Sequence, residues 1–129
     1  MKKIIALFVL AASMLSLPAF AGQDVGVIMH QMAKSYRAVM DDKTLADIKV
    51  DLTKLDTAVK KAQNSVPDFL ASKPATDPMR VAYREGINKL LKQIAIAQEY
   101  ANEGNFNKAQ EAAAKLNAIK HYYHHKLGV

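Results

Sequence analysis

The sequence predicts an all-α protein: an antiparallel up-down-up-down four-helix bundle, preceded by a cleaved signal peptide. Apolar residues recur every three or four positions through most of the chain, which is the periodicity of amphipathic helices. The interruptions between the periodic stretches are short and carry helix-capping residues. No stretch resembles a strand. Four helices with one apolar stripe each bury those stripes by packing together, so a four-helix bundle is expected.

The first 21 residues are predicted to be a secretory signal peptide. Lys2 and Lys3 precede an apolar run over residues 4–17, and Ala19-Phe20-Ala21 is a small-x-small cleavage signature. The run is too short for a membrane span, and no cysteine follows it that could carry a lipid. We therefore expect residues 22–129 to form one periplasmic domain without a membrane anchor.

Charge and composition reduce the number of function classes to consider. Without Lys2 and Lys3 the mature chain keeps 16 basic and 12 acidic residues, a net charge of +4 with no dense basic run. This mild basicity is weak evidence for nucleic acid and no evidence for membrane binding. There is no cysteine for disulfides, no phosphate-binding loop and no nucleophilic or paired-carboxylate constellation. We expect a monomer that is not an enzyme.

The four helices are bounded by recognisable signals. Thr44 is expected to cap the second helix, Asp77 to cap the third with Pro78 in its first turn, and Asn105 to cap the fourth. Gly104 is expected to end the third helix. The apolar stripes run from Val25 to Val39, from Leu45 to Ala62, from Tyr83 to Ala101 and from Phe106 to Tyr123.

The connections suggest where a site lies. Residues 41–44 and 102–105 are too few for anything except antiparallel neighbours, and the longer segment 66–77 is expected to be irregular. The start of the first helix then lies beside the end of the fourth. With a rise of about 1.5 Å per residue, Met29 and His124 fall at similar heights. A thioether facing an imidazole is an axial ligand pair for haem iron.

Each candidate ligand has a plainer interpretation. Met29 could fill the core, as most methionines on a helix stripe do. Met32, one turn deeper, is expected to be pocket wall, and Met40 and Met79 to lie elsewhere. For His125 and His30 a surface role is favoured. The role of His121 stays open between solvent and pocket edge.

The chain resembles the soluble periplasmic cytochrome b562 family, itself an example of the up-down-up-down bundle. The stretches that carry the resemblance are AQNSVPDFL, DPMRVAYREGINKLL, ANEGNFNKAQEAAAKL and YHHK, at ungapped spacing. The resemblance implies that Met29 and His124 hold the iron and that the Tyr83 ring lies against the porphyrin. The chain departs from the family pattern at Tyr36 and Ile87. The packing candidates are Met32, Tyr36, Leu55, Pro67, Tyr83, Ile87 and Leu116, with Lys120 near the porphyrin edge.

The haem is expected to be haem b, held without a covalent bond. A Cys-x-x-Cys-His motif is absent, and residues 120–124 carry lysine and tyrosine where thiols would stand. Two filled axial positions predict a one-electron carrier that serves an unidentified redox partner protein. Two alternatives stay open: a periplasmic copper or zinc site using His121 and His125, and a haem-free helical binding or chaperone module.

Overall fold

The structure, a computed structural model, describes residues 24–129 and is helical throughout, with no strand among those residues. The expected signal peptide and its cleavage site lie outside the described residues. The all-α fold class is confirmed. The helical segments are α1 Val25–Asp41, α2 Leu45–Gln63, α3 Asp68–Ala71, α4 Pro78–Asn102, α5 Phe106–Ala114 and α6 Leu116–Leu127.

The helix boundaries follow from capping side chains. Thr44 Oγ1 accepts from the Asp47 amide at 3.1 Å, Asp77 Oδ1 from Met79 at 2.9 Å and Asn105 Oδ1 from Lys108 at 3.1 Å. Each such cap stabilises its helix by about 1 kcal/mol. The turn after α4 contains Gly104 at φ +82°, a left-handed conformation that favours glycine. These caps were all expected from the sequence.

A fourth cap, on α1, was not anticipated. Asp24 Oδ1 accepts a hydrogen bond from the Gly26 amide at 2.7 Å, so α1 begins at Val25 with this first-turn amide paired.

Four long elements make the bundle: α1, α2, α4 and the α5–α6 pair. α1 packs on α2, α2 on α4, and α4 on both α5 and α6. The antiparallel path is visible in one side chain of α5. Gln110 Nε2 donates to the carbonyls of Val39, Met40 and Asp42 at 3.1–3.2 Å, and so joins the beginning of α5 to the end of α1.

Two features differ from the predicted bundle. The fourth helix is interrupted at Lys115, whose amide donates to the Ala112 carbonyl at 3.3 Å. Gln93 of α4 donates to the same carbonyl at 2.8 Å, so a tertiary contact lies at the break. The segment 66–77 is also more ordered than expected, because α3 forms directly after Pro67 and buries Leu70 completely.

Fully buried side chains occur at both ends of the bundle. The largest of them are Ile28, Val39, Ile48, Leu52, Val59, Leu70 and Ile94. α1 contacts α5 at the end where α1 finishes, but its backbone makes little contact with α6. The bundle is therefore open on the side where α1 begins and α6 ends. None of the helices in residues 24–129 combines the length and apolar character needed to cross a membrane.

Candidate functional site

A large apolar cavity occupies the space between α1, α4 and α6. Its volume is about 830 Å³, and most of the surface that lines it is apolar. That volume is within the range of roughly 300–1,000 Å³ typical of small-molecule and cofactor sites. The lining includes every residue that the sequence proposes for a cofactor site: Met29, Met32, Tyr36, Leu55, Pro67, Tyr83, Ile87, Leu116, Lys120 and His124. Their roles toward a cofactor stay predictions.

All four methionines of the described residues pack against the core, and two of them also line the cavity. Met29 and Met32 line the cavity and are half-buried. Met40 and Met79 pack against the core and do not line the cavity. The stripe through Met29, Met32 and Tyr36 therefore faces the cavity, while the adjacent Ile28 is fully buried in the protein core. α1 thus presents one apolar line to the protein and a second to the cavity.

His124 is the only histidine of the described residues that lines the cavity. Burial lowers its pKa below the usual 6.5, and the positive charges of Lys120 and His121 lower it further. The neutral imidazole, which carries a free lone pair for a metal, is therefore favoured. His30, His121 and His125 are exposed and outside the lining. His121 thus acts on His124 through charge.

Tyr83 forms a fixed part of the wall. Its side chain is buried, and its hydroxyl donates to the Ala62 carbonyl at the end of α2 at 2.9 Å. Burial raises the pKa of the Tyr83 hydroxyl to about 12, so it stays protonated and neutral at ordinary pH. The hydrogen bond holds the ring between α2 and α4, with Ile87 one turn further along α4.

Gly86 permits a close approach between two helices. A Cβ at this position would lie 2.8 Å from Cγ and 3.2 Å from Cβ of Tyr123 on α6. These atoms are at the root of the Tyr123 side chain, so they could move only with the α6 backbone. Gly86 therefore lets α4 pack closely against Tyr123, the residue directly before His124.

Tyr123, Phe69 and Arg37 are among the lining residues that the sequence interpretation did not propose for the site. Tyr123 is buried and lines the cavity from α6, but it was considered only as part of a stripe. Phe69 lines the cavity from α3 and leaves 47% of its surface exposed. An aromatic residue two positions after Pro67 could have been noticed. Arg37 is a second cation in the lining besides Lys120, and no pattern in the sequence singled it out.

The donor set suits haem better than zinc. A thioether and a favoured neutral imidazole line one apolar cavity from different helices, which fits an axial pair for iron. Porphyrin carboxylates would find the cationic Lys120 and Arg37 in the same lining. Within residues 24–129 no three His, Cys, Asp or Glu side chains come together as a metal site. A zinc site built from such ligands has no support there.

The comparisons with known proteins agree with this arrangement. The family model described as Cytochrome b562 matches residues 24–127. The probable soluble cytochrome b562 2 of Yersinia pestis is 31% identical over 98 residues, which cover 76% of this chain and 77% of that protein. The probable soluble cytochrome b562 1 of the same organism is 30% identical over 73 residues, 57% of this chain and 58% of that protein.

The family match spans nearly all of the described residues, including Met29, Tyr83 and His124. It supports a b-type haem as the cofactor and electron transport as the role. The fold, the apolar cavity and the family match together place the chain in the cytochrome b562 family.

Proposed function

We propose that this protein is a periplasmic one-electron carrier whose haem b is held, without a covalent bond, by Met29 and His124. The observation that carries the proposal is the single apolar cavity that both side chains line, in a chain of the cytochrome b562 family. Bound there, the iron supplies one-electron oxidation and reduction.

The wall residues have distinct parts in this proposal. His124 is the stronger ligand and is held near α4 by the Tyr123–Gly86 contact. Met29 is the weaker ligand, and a thioether raises the reduction potential by favouring ferrous iron. Tyr83, Met32, Leu55, Pro67 and Ile87 exclude water from the macrocycle. Lys120 and Arg37 offer positive charge to its carboxylates.

One-electron transfer is the chemistry that such a group would supply. If Met29 and His124 both held the iron, no ligand position would remain for a substrate, and the centre would exchange single electrons with a partner protein. The periplasm is proposed from residues 1–21, whose cleavage after Ala21 would leave Gly22 as the first residue. Mass spectrometry of the exported chain tests this; an intact leader would contradict it.

The function is tested by the visible spectrum of protein isolated from the periplasm. Sharp paired bands on reduction are expected, together with release of the haem into acidic organic solvent. Colour that stays with the denatured chain would contradict noncovalent binding. Bound copper or zinc without these bands would favour the metal-site alternative, and a colourless, metal-free chain the binding-module alternative.

A further inference from the structure

A second cavity lies behind Tyr83. Its volume is about 190 Å³, and it is lined by residues from the end of α2, the segment that follows and the first turns of α4. Tyr83 lines this cavity as well as the large one. Arg80 and Arg84 stand four residues apart on α4, a spacing that places both side chains on one helix face. Both line the small cavity.

The two guanidinium groups are held in place by backbone carbonyls. Arg80 Nη1 donates to the Lys73 carbonyl at 2.9 Å, and Arg84 Nη1 donates to the Ala75 carbonyl at 3.1 Å. A guanidinium has five N–H donors, so each of these hydrogen bonds leaves most of them available. Arg80 is half-buried, so part of its charge is already removed from water.

The positive charge in this cavity is not balanced. No carboxylate lines the cavity. Over residues 24–129 the one ion pair within 4 Å joins Lys60 to Asp56, away from both arginines. Two cations that backbone carbonyls hold beside a partly open cavity, with no carboxylate in its lining, form an electrostatic site for an anion.

The neutral lining residues complete a fixed frame. Ser65 is buried, and its hydroxyl donates to the Lys61 carbonyl at 2.9 Å. Gln63 Nε2 donates to Asn88 Oδ1 at 3.0 Å, and Asn64 Nδ2 donates to the Lys60 carbonyl at 3.2 Å. The serine hydroxyl and one N–H of each amide are occupied within the protein, and each amide keeps a second N–H. Arg80 and Arg84 supply the only charged donors among the residues that line this cavity.

We propose that the small cavity binds one small oxyanion, a phosphate or a carboxylate, bridged between Arg80 and Arg84. The planar guanidinium matches both groups because it can donate two parallel hydrogen bonds. The volume is below the roughly 300 Å³ at which ordinary ligand sites begin, so the ligand is a small anion rather than a nucleotide. Because the arginines also hold the carbonyls of Lys73 and Ala75, the anion would fasten the segment between α3 and α4.

The experiment is calorimetric titration of the haem-loaded protein with inorganic phosphate, at an ionic strength held constant with sodium chloride. One saturable site per chain is expected. Arg80→Gln and Arg84→Gln should each weaken binding at least about tenfold, the loss of one charge-assisted hydrogen bond. Lys92→Gln makes the same charge change at an exposed position of α4 outside both cavities, and it should leave the affinity unchanged.

The outcomes are decisive. No saturable heat with phosphate or acetate would overturn the proposal, and so would an equal loss in Lys92→Gln. Saturation with acetate but not phosphate assigns the site to carboxylates, and the reverse assigns it to phosphate. Arg84→Lys keeps the charge but loses the planar fork, so it should bind more weakly than the parent and more tightly than Arg84→Gln. An unchanged visible spectrum shows that a variant is folded. If Arg80→Gln does not fold, the affinity of the Arg84→Gln variant decides the test, because Arg84 is exposed.

Discussion

Met29 and Met32 are one turn apart on the same face of α1, and both line the large cavity. We expect Met29→Ala to keep its haem through His124 but to lose the six-coordinate low-spin spectrum. Its reduction potential should fall, because the thioether favours ferrous iron. Added carbon monoxide should change the spectrum of the reduced variant readily. Met32→Leu is the matched control and should keep the parent spectrum. The opposite pattern would identify Met32, one turn further along α1, as the ligand instead of Met29.

The same comparison can be made on α6. His124→Ala should lose haem far more readily than Met29→Ala, because only packing and one soft ligand remain. His121→Ala removes an exposed imidazole from the same helix and should retain haem. The fraction of haem that each of the two variants retains after gel filtration is the measurement. Loss of haem in His121→Ala alone would show that the wrong histidine had been chosen.

Asp42, at the far end of the bundle, gives a prediction about pH. Burial is the largest of several causes that together raise the pKa of its carboxyl from 3.8 to about 6; the others are a hydrogen bond with Asp51 and the charges of Asp51, Asp47 and Asp41. Its Oδ2 is shielded from solvent and has no hydrogen-bond partner among the described residues. A raised pKa means that the folded state holds this proton more tightly than the unfolded state. The contribution to stability is therefore complete below about pH 4 and is lost as the pH rises through 6.

Asp42→Asn should accordingly raise the free energy of unfolding at pH 7.5. Because Asp42 is only half-buried, solvent screening limits the gain to about 0.5–1 kcal/mol. The gain should shrink toward zero as the pH is lowered to about 4, measured by urea unfolding at several pH values. Glu111→Gln, on the exposed side of α5, removes the same charge and should not reproduce this profile.

At the scale of elements, the close contact between α4 and α6 depends on the absence of a side chain at Gly86. Helix propensity alone predicts that Gly86→Ala stabilises the protein by about 1 kcal/mol. The 2.8 Å approach to Tyr123 predicts the opposite, because overpacking typically costs about 1–3 kcal/mol. We expect the steric term to prevail, with a lower melting temperature and an altered low-spin spectrum as His124 shifts with Tyr123. Tyr123→Ala in the same chain removes the Cγ that lies 2.8 Å away and should restore part of the low-spin spectrum. A more stable Gly86→Ala with an unchanged spectrum would contradict this.

The elements themselves were largely predictable. Thr44, Asp77 and Asn105 cap their helices through local hydrogen bonds, which depend only on neighbouring residues. The break at Lys115 was not predictable, because Gln93 reaches the Ala112 carbonyl from another helix. The two apolar lines of α1 could not be separated either. Met29 and Ile28 are both apolar, and only the packing decides which one faces the cavity.

At the scale of the whole molecule, the cavity predicts a large effect of haem on stability. The unfolded chain does not present Met29 and His124 together, so haem at 100 times its dissociation constant adds about 2.7 kcal/mol. For a domain of this size that is roughly 10–20 °C in melting temperature. The haem-free protein should keep its helical circular dichroism while amide exchange near α6 increases. Equal melting temperatures with and without haem would count against a specific site.

The candidate site was predictable to the extent that it depends on chain geometry. Counting residues from each end places Met29 and His124 at one level, and the structure brings both to the same cavity. Phe69 was missed because α3 forms within a segment that its prolines mark as irregular. Arg37 was missed because a single charged residue beside an apolar stripe has no sequence signature of its own.

The interruption at Lys115 has a consequence for how fast haem enters and leaves. Gln110 and Gln93 fasten α5 to α1 and α4, whereas α6 packs on α4 but hardly on α1. We therefore expect α6 to loosen before the rest of the bundle, and its His124 lies about 13 Å along the helix axis from Lys115. Haem exchange would then need only this local loosening, at rates far above those of global unfolding. Uptake that required denaturant would contradict this expectation.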